Sequence, residues 1–403
     1  MEANRSRLLA TARPYLQLFS VLALTPPPRF FESTSNLRLL RNLKAGYCCF
    51  ASGVLVLVTY ECYVNIMGLQ RQLVQFHVED FSKVMGNTHK GLVLVMAICN
   101  HLNMLLNYRR LGRIYDEIAA LEADIDGASR CFGGQRRCWS FRFRLAIFVG
   151  LWMVLLVALI PPLSYNRVNV LASGTDKIIT EIVLIMLQFK GPEYCVFVML
   201  VHELILEVRH TLQQINQELE DCNIRDRLQE LCVALKRNQL LVGRIWRLVG
   251  ELGSYFTLTM ILLFLYNGFT ILHVVNWAII KTGSDCCPYK RVGVSVILTI
   301  NLLLVCSYSE CCTNAYKDIP RILRRIRSLP VAEDFPILKM GLREYFLQMQ
   351  HLKLLFTCSG FFDISLKYFA GMLVTILGYI IILVQFKLQA FVETENKKIL
   401  NTN

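Results

Sequence analysis

The chain contains seven stretches of predominantly apolar residues, each as long as a membrane-spanning helix. About twenty such residues are needed to cross the hydrocarbon core of a bilayer as an α-helix. Polar segments separate the stretches, so the pattern predicts an all-α, polytopic membrane protein rather than a soluble domain. The predicted spans cover residues 45–67, 83–106, 143–163, 178–202, 254–281, 291–309 and 366–386.

The last stretch, residues 367–389, carries a stripe of small and polar residues on one helical face. Residues separated by alternating steps of three and four lie on the same side of an α-helix. In a lipid-embedded helix, such a stripe indicates either close packing against a neighbouring helix or the lining of a pore. Considered alone, it favours packing, because small-residue interfaces are common in membranes. The stripe consists of Gly371, Thr375, Gly378, Ile382, Gln385 and Gln389.

Two long segments outside the spans are amphipathic, with apolar residues at helical spacing and charges of both signs elsewhere. Residues 203–250 continue the fourth span, with a break near Asn223, and residues 310–357 precede the seventh span, with a helix expected at 337–357. An amphipathic helix cannot bury its apolar stripe alone. We therefore predict that these extensions pack together into a helical domain that several subunits could share. The alternative is a surface helix that lies in the membrane interface.

The distribution of Lys and Arg predicts the orientation in the membrane. These residues concentrate in the N-terminal segment and in every second loop after it. Because cytoplasmic loops are enriched in Lys and Arg, we expect the N-terminus inside the cell and the C-terminus outside. The predicted organisation is a cytoplasmic segment 1–44, spans in 45–202, a cytoplasmic extension 203–253, spans in 254–309, a cytoplasmic anchor 310–365, a last span 366–386 and an extracellular tail 387–403.

Composition agrees with the membrane assignment. Hydrophobic residues make up 54% of the chain and charged residues 18%, which is too little charge to cover a soluble protein of this size. The net charge of +13 raises the question of nucleic-acid binding. The basic loops account for that charge, and no nucleic-acid motif accompanies it, so no nucleic-acid partner is expected.

The fifth span carries the clearest candidate ligand site. Four of its polar and aromatic residues fall on one helical face, and two aromatic residues of the third span complete the set. Such side chains combine apolar bodies with a few donors and acceptors, which is typical of small-molecule pockets. The alternative is that they bond neighbouring helices and hold the bundle together. The candidates are Tyr266, Thr270, His273 and Trp277, together with Trp152 and Tyr165.

The fourth span contains charges and a helix breaker. Pro192 and the preceding Gly191 predict a kink. Lys190 and Glu193 lie three residues apart, so they can neutralise each other, and we favour structural pairing over ligand binding for them.

Nothing in the sequence indicates an enzyme. There is no His-Glu-x-x-His metal motif, no Gly-x-Ser-x-Gly nucleophile motif and no phosphate-binding glycine loop. The fifteen cysteines lack a zinc-ligand spacing. We therefore expect no catalytic activity, no metal and no cofactor.

The seventh span also carries a family signature. The sequence Gly378-Tyr379-Ile380-Ile381-Ile382-Leu383-Val384-Gln385-Phe386 resembles the C-terminal signature of insect gustatory receptors, which is Thr-Tyr, five hydrophobic residues and Gln-Phe. Tyr379, Gln385 and Phe386 match the signature, whereas Gly378 replaces its usual threonine. The chain also resembles this family in its length, its seven spans, its cytoplasmic N-terminus with an extracellular C-terminus, and the long extension of its fourth span.

The resemblance implies a ligand-gated, nonselective cation channel in the plasma membrane of a sensory neuron, opened by a small-molecule tastant. Four identical or related subunits would surround a pore lined by the seventh span, with cations permeating and lipid outside. Gln385 would line the pore beside Gly378, Thr375 and Phe386, Ile382 would form the gate, and Tyr379 would brace the helix. The varied aromatic pocket leans towards bitter compounds.

The competing class is a metabotropic receptor that couples to a G protein. Such a receptor has the opposite orientation, and the chain lacks both Asp-Arg-Tyr after the third span and Asn-Pro-x-x-Tyr in the seventh.

Overall fold

The computed structural model describes residues 6–31, 37–75, 80–129, 138–164, 174–221, 225–280, 288–330 and 334–402. The helices are α1 (Arg7–Val21), α2 (Leu37–Gln75), α3 (Asp80–Ser129), α4 (Cys138–Trp152), α5 (Ile160–Ser164), α6 (Gly174–Gln188), α7 (Lys190–Asp221), α8 (Arg225–Ile280), α9 (Pro288–Lys317), α10 (Ile319–Arg327), α11 (Pro336–His351) and α12 (Leu366–Thr402). A π-helical segment, Met153–Leu159, joins α4 to α5.

Seven helical stretches of the described chain are long and apolar enough to cross a membrane. In chain order, each overlaps one predicted span, and the only β-structure among the described residues is an isolated bridge between Thr357 and Asp363. The prediction of an all-α chain with seven spans is therefore confirmed. The stretches are Leu40–Arg71, Lys83–Ser129, Ser140–Leu163, Gly174–Glu220, Asp226–Asn276, Val292–Arg327 and Leu366–Phe386.

The fourth span consists of α6 and α7, with an interruption at Phe189. Pro192 has no backbone N–H, and its ring crowds the carbonyl four residues earlier, which belongs to Gln188. α6 ends at Gln188 and α7 begins at Lys190, so the interruption falls where Pro192 removes a hydrogen bond. The sequence predicted a kink at Gly191 and Pro192, and the structure has an interruption of the helix two residues before Gly191.

The fourth span is the most buried of the seven. In its most apolar stretch 83% of residues are buried against other helices, compared with 11% in the seventh span. Lys190 and Glu193 are fully buried there, and Lys190 Nζ lies 2.7 Å from the Glu193 carboxylate. The same ammonium donates a hydrogen bond to the carbonyl of Leu24 at 2.9 Å. The predicted structural pairing of the two charges is therefore confirmed.

The N-terminal segment contains a helix, α1, which the search for bilayer-length stretches does not reveal. Its apolar face, including Leu9, Leu16 and Phe19, is buried in the main core. The Glu122 carboxylate of α3 accepts hydrogen bonds from the Ser6 hydroxyl and from the first backbone N–H groups of α1. Those N–H groups have no partner within the helix, and negative charge is favourable at a helix N-terminus. Glu122 therefore anchors the start of α1.

The parts of α7 and α8 that lie beyond the predicted spans 178–202 and 254–281 pack together with α10 and α11, and we call this region the polar extension. The buried Tyr345 hydroxyl of α11 donates to Asn238 Oδ1 of α8 at 2.7 Å. Nearby, Lys236 Nζ lies 2.6 Å from Glu344, and this hydrogen-bonded ammonium lowers the pKa of the Glu344 carboxyl. The predicted packing of the two amphipathic segments against each other is confirmed.

The helix expected at 337–357 is shorter than predicted, because α11 ends at His351. Beyond it, buried residues alternate with more exposed ones, which is the two-residue period of an extended chain. The Tyr316 hydroxyl holds the Leu352 carbonyl at 2.9 Å and fixes this exit from the helix. A tight turn follows, in which Gly360 adopts a φ of 81°, a conformation that glycine tolerates well.

Candidate functional site

Four side chains from α3 and α8 form a compact cluster inside the membrane-length part of the bundle. The imidazole of His89 stacks on that of His273, with ring centroids 4.8 Å apart and planes within 9°. The His89 ring also stacks on the ring of Tyr266 of α8, with centroids 5.5 Å apart. His89 Nε2 lies 3.0 Å from the hydroxyl of Thr270. We call His89, Tyr266, Thr270 and His273 the histidine cluster.

The hydrogen bonds of the histidine cluster define a direction of donation. The Thr270 hydroxyl donates its single hydrogen to the backbone carbonyl of Tyr266, at 2.7 Å. Its oxygen is then left to accept, so the Nε2–H of His89 donates to it. A neutral His89 with the proton on Nε2 keeps Nδ1 as an acceptor. The cluster therefore combines stacked aromatic rings with polar nitrogens and a hydroxyl, which is the lining expected for a small, largely apolar molecule.

Helix geometry explains why these residues meet. Tyr266, Thr270 and His273 follow steps of four and three along α8, which places them on one face. On α3, Gly86 lies one turn before His89, and a Cβ there would lie 3.3 Å from the Leu69 side chain and 3.9 Å from the His273 ring. The missing side chain of Gly86 lets α2 and α8 approach α3 closely.

The structure brings together three of the six candidate ligand residues. Tyr266 and Thr270 are buried, and His273 is half-buried beside them. Trp152 is fully buried in the main core, where it packs edge to face against Phe148. The side chain of Trp277, and Tyr165 altogether, lie outside the described residues.

His89 is the member of the cluster that the helical-face pattern of the fifth span could not reveal. It belongs to another helix, so no spacing within α8 points to it. A signal was nonetheless present: the second span begins with the polar run Asn87-Thr88-His89-Lys90. Polar residues at membrane depth are costly and often functional, so this run was a reason to examine the start of that span.

A second polar group links the first, second and fourth spans. The Glu61 carboxylate accepts from Thr180 Oγ1 at 2.9 Å and from Asn65 Nδ2 at 3.2 Å. Lys90, which follows His89, lines the same cavity. The cavity has a volume of about 10 Å³, which is room for about one water molecule and far below the size of ligand pockets. In this conformation the polar group around the cavity therefore holds the helices together and leaves no room for a ligand.

A chain of buried amides joins the fourth, fifth and sixth spans. Gln188 Nε2 donates to Asn267 Oδ1 at 2.7 Å, and Asn301 Nδ2 donates to Gln188 Oε1 at 2.6 Å. Gly191 packs directly on this chain, because an added Cβ would lie 2.8 Å from Asn301 Oδ1. Interhelical amide bonds of this kind hold membrane helices together. Asn267 follows Tyr266, so the amide chain adjoins the histidine cluster.

The stripe on the seventh span does not pack inside its own chain. The buried side of α12 is narrow and includes Phe369 and Ile376. Gly371, Thr375, Gly378 and Gln385 are all exposed, and a Cβ added at either glycine would meet no atom within 4 Å. The predicted gate and signature residues Ile382, Tyr379 and Phe386 are also exposed, by 46%, 56% and 65%.

This geometry leaves the stripe facing something outside the subunit. The packing interpretation has two forms, with the partner helix in the same chain or in another subunit. The described residues do not show the stripe packed against a helix of the same chain. Packing against another subunit and the lining of a pore both stay open. Lipid contact alone does not account for small and polar residues in the stripe, since lipid tails offer no hydrogen bonds.

Comparisons with known proteins place the chain in a family. A family model described as 7tm Chemosensory receptor matches residues 12–390. Gustatory receptor 98c of Drosophila melanogaster is 56% identical over 97% of this chain and 96% of its own length. Gustatory receptor 98b of the same species is 55% identical over the whole of both chains.

Solved structures support the same fold at much lower sequence identity. The insect olfactory receptor OR5 from Machilis hrabei covers 94% of this chain and 100% of its own, with a TM-score of 0.63 and 12% identity. The same receptor in complex with eugenol gives a TM-score of 0.61 and 13% identity over the same coverage. The chain belongs to the 7tm chemosensory receptor family and, within it, to the insect gustatory receptors.

Proposed function

We propose that this receptor is one subunit of a ligand-gated, nonselective cation channel in the plasma membrane of a sensory neuron. Its N-terminus and polar extension lie in the cytoplasm, and its C-terminus lies outside. Four copies, or copies mixed with related receptors, surround a central pore, with lipid on the outer surface. A small-molecule tastant opens the pore, and cations permeate.

The observation that carries this proposal is the exposure of the seventh span. It is the least buried span, with 11% of its most apolar stretch buried, and among the described residues no helix of its own chain covers the small and polar stripe. A helix of this kind in a bilayer needs either a second subunit or water beside its polar face. A ring of subunits supplies both, because neighbouring copies cover the flanks while the stripe faces the axis.

Within that ring, Ile382 and Gln385 have distinct roles. They lie three residues apart on one face of α12, and both are exposed. Four Ile382 side chains form an apolar constriction that excludes water in the closed state. Four Gln385 amides next to it present dipoles to a passing cation. Thr375, Gly378 and Phe386 continue this lining, and Tyr379 braces the helix against neighbouring subunits.

The histidine cluster is the proposed ligand site. Its rings are in contact with one another, so a tastant that enters separates α3 from α8. A ligand shifts the channel equilibrium only if it binds the open arrangement more tightly than the closed one. The eugenol complex of the similar olfactory receptor supports a small, largely apolar ligand, and the aromatic cluster favours the bitter class.

The test combines current recording with topology. Cells that express the chain, alone or with related receptors, are screened with a tastant panel, and excised outside-out patches are recorded without added GTP. We expect unitary cation currents in the patch and a C-terminal tag that antibodies reach on intact cells. A response that requires G-protein coupling, or a tag that is inaccessible from outside, contradicts the proposal and favours a metabotropic receptor.

A further inference from the structure

We propose that a groove between α7, α9 and α10 binds the phosphate-bearing headgroup of an anionic lipid of the cytoplasmic leaflet. The groove has a volume of about 580 Å³ and is distinct from the histidine cluster and from the seventh span. This inference rests on the proposed orientation, which places the polar extension in the cytoplasm. It concerns a second binding site that regulates or anchors the receptor, and it makes no use of the tastant.

The charge of the groove is the first observation. Arg209, Lys317 and Arg321 line it, and Asp318 is the one carboxylate among its lining residues. Arg209 and Arg321 contact the two oxygens of Asp318 at 3.0 and 2.8 Å. One carboxylate therefore serves two guanidinium groups. Among the described residues, Lys317 hydrogen-bonds only to the neutral amide of Asn314, at 3.5 Å. The groove keeps an excess of positive charge that a phosphate group would neutralise.

Its position is the second observation. The groove begins at His202 and Cys311, whose side chains are 3.8 Å apart. These residues lie at the end of the predicted fourth span and two residues beyond the predicted sixth span, so the proposed orientation places them near the lipid headgroups of the cytoplasmic leaflet. It then runs towards Arg209 and Arg321 in the polar extension. A basic pocket between helix ends on the cytoplasmic side is a known form of lipid headgroup site.

The surface beside the groove has the same charge. α10 buries Ile319, Leu323 and Ile326 against the bundle. Its opposite side is exposed and carries four arginines, which are Arg321, Arg324, Arg325 and Arg327. Guanidinium groups bind phosphate oxygens in pairs with good geometry. A headgroup with several phosphates would therefore contact the groove and the basic side of α10 together.

Lipid binding to the full-length chain in nanodiscs tests the inference, with native mass spectrometry to count retained lipids. The nanodiscs contain phosphatidylcholine with either phosphatidylinositol bisphosphate or no charged lipid. We expect the wild type to retain the bisphosphate lipid. The double variant Lys317→Gln/Arg321→Gln keeps the Arg209–Asp318 pair, so it should fold, and we expect it to bind about thirtyfold more weakly.

The matched control removes two exposed positive charges elsewhere. Arg113→Gln/Arg247→Gln lies on α3 and α8, away from the groove lining, and should retain lipid like the wild type. Equal loss in both double variants would show only general charge attraction and would overturn the site. A wild type that does not retain the bisphosphate lipid above phosphatidylcholine would also overturn it.

Two further measurements complete the design. Soluble inositol trisphosphate should compete only weakly with the lipid. If it binds as tightly as the lipid, the ligand is a soluble phosphate compound, and the proposal of a membrane lipid is wrong. If the double variant fails to give a monodisperse peak on size exclusion, Lys317→Gln alone replaces it, with an expected loss of about fivefold. Because the readout is bound lipid rather than current, its failure leaves the channel proposal untouched.

Discussion

The fourth span is buried inside the protein and the seventh span is exposed on its surface. In a soluble protein the buried helix would be the more apolar one, but here the exposed helix is. The seventh span is the more apolar, yet only 11% of the residues in its most apolar stretch are buried. The corresponding share in the fourth span is 83%, although that span contains the buried polar residues Lys190, Glu193 and Gln188. In a bilayer, lipid accepts apolar side chains, and polar groups need protein partners. The buried span is therefore the polar one, which inverts the usual inside–outside rule.

This contrast gives meaning to the small and polar residues that remain on the seventh span. Thr375 and Gln385 are exposed on the helix that otherwise suits lipid best. In the fourth span comparable groups have found partners within the chain, as Gln188 has in Asn267 and Asn301. In the seventh span the Thr375 hydroxyl bonds only within its own helix, to the Gly371 carbonyl at 3.0 Å. No hydrogen bond joins the stripe to another helix among the described residues, so the stripe points to an assembly. The predictions below test the two spans against each other.

The largest effect is expected in the fourth span, for Lys190→Met. This change leaves Glu193 as a buried charge without its ammonium partner, which typically costs about 3–5 kcal/mol of folding free energy. We expect poor yield and a much lower melting temperature of the detergent-purified protein, measured by scanning fluorimetry. The double variant Lys190→Met/Glu193→Leu removes both charges and should recover most of the loss. A single variant that melts like the wild type would contradict the structural role of the pair.

The next effect compares two glycines. Gly191→Ala places a methyl group 2.8 Å from Asn301 Oδ1, and overpacking of this kind destabilises by about 1–3 kcal/mol. Gly378→Ala meets no atom of its own chain within 4 Å, so the subunit should keep its melting temperature. Melting curves of the two variants test this difference directly.

The same glycine variant separates the two remaining interpretations of the stripe. If Gly378 faces a pore, Gly378→Ala leaves the tetramer intact, as judged by size exclusion with light scattering. Dissociation of the assembly by one added methyl group would instead mean that Gly378 lies in a subunit interface. That result would remove it from the proposed pore lining.

Ile382→Ala is expected to act on gating rather than on folding. Removal of apolar atoms from the constriction weakens the closed state by about 1 kcal/mol per subunit, so each subunit that carries the change shifts the closed-to-open equilibrium by about fivefold. We therefore expect raised current without tastant in whole-cell recordings. Ile381→Ala is the matched control, because Ile381 is equally exposed but lies off the stripe. Equal basal currents in both variants at normal surface expression would exclude Ile382 as the gate.

The sequence was sufficient for the spans, since bilayer thickness imposes a length that the apolar stretches reveal. It also revealed the Lys190–Glu193 pair and three members of the histidine cluster, because those relations lie within one helix. α1 was missed because its anchor, Glu122, lies more than a hundred residues away in the chain. His89 was missed for the same reason, as contacts between helices depend on packing that no single-helix period encodes.

The end of α11 shows a different limit. Residues 337–357 have apolar positions that suit a helix, but the last six of them alternate between buried and exposed positions in an extended chain. The bond from Tyr316 to the Leu352 carbonyl and the turn at Gly360 favour the extended conformation. Neither can be predicted from the spacing of apolar residues within 337–357. Short apolar runs are ambiguous between the two periods, and tertiary contacts decide between them.

The smallest effect is expected for Thr270→Val, which tests whether the histidine cluster binds the tastant or only holds α3 against α8. Valine keeps the shape of threonine but removes the oxygen that accepts the Nε2–H of His89, at a cost of about 1 kcal/mol. If the cluster contacts the ligand, the loosened ring should change the half-maximal tastant concentration by about fivefold in either direction, with unchanged maximal current. Thr299→Val is the matched control, because Thr299 makes the same bond to its own helix, at 2.8 Å to Ser295. Thr270→Val, but not the control, could instead lose surface expression and maximal current together without a shift in tastant sensitivity. That result would mean that the cluster only packs α3 against α8, as the neighbouring chain of amides holds its helices together.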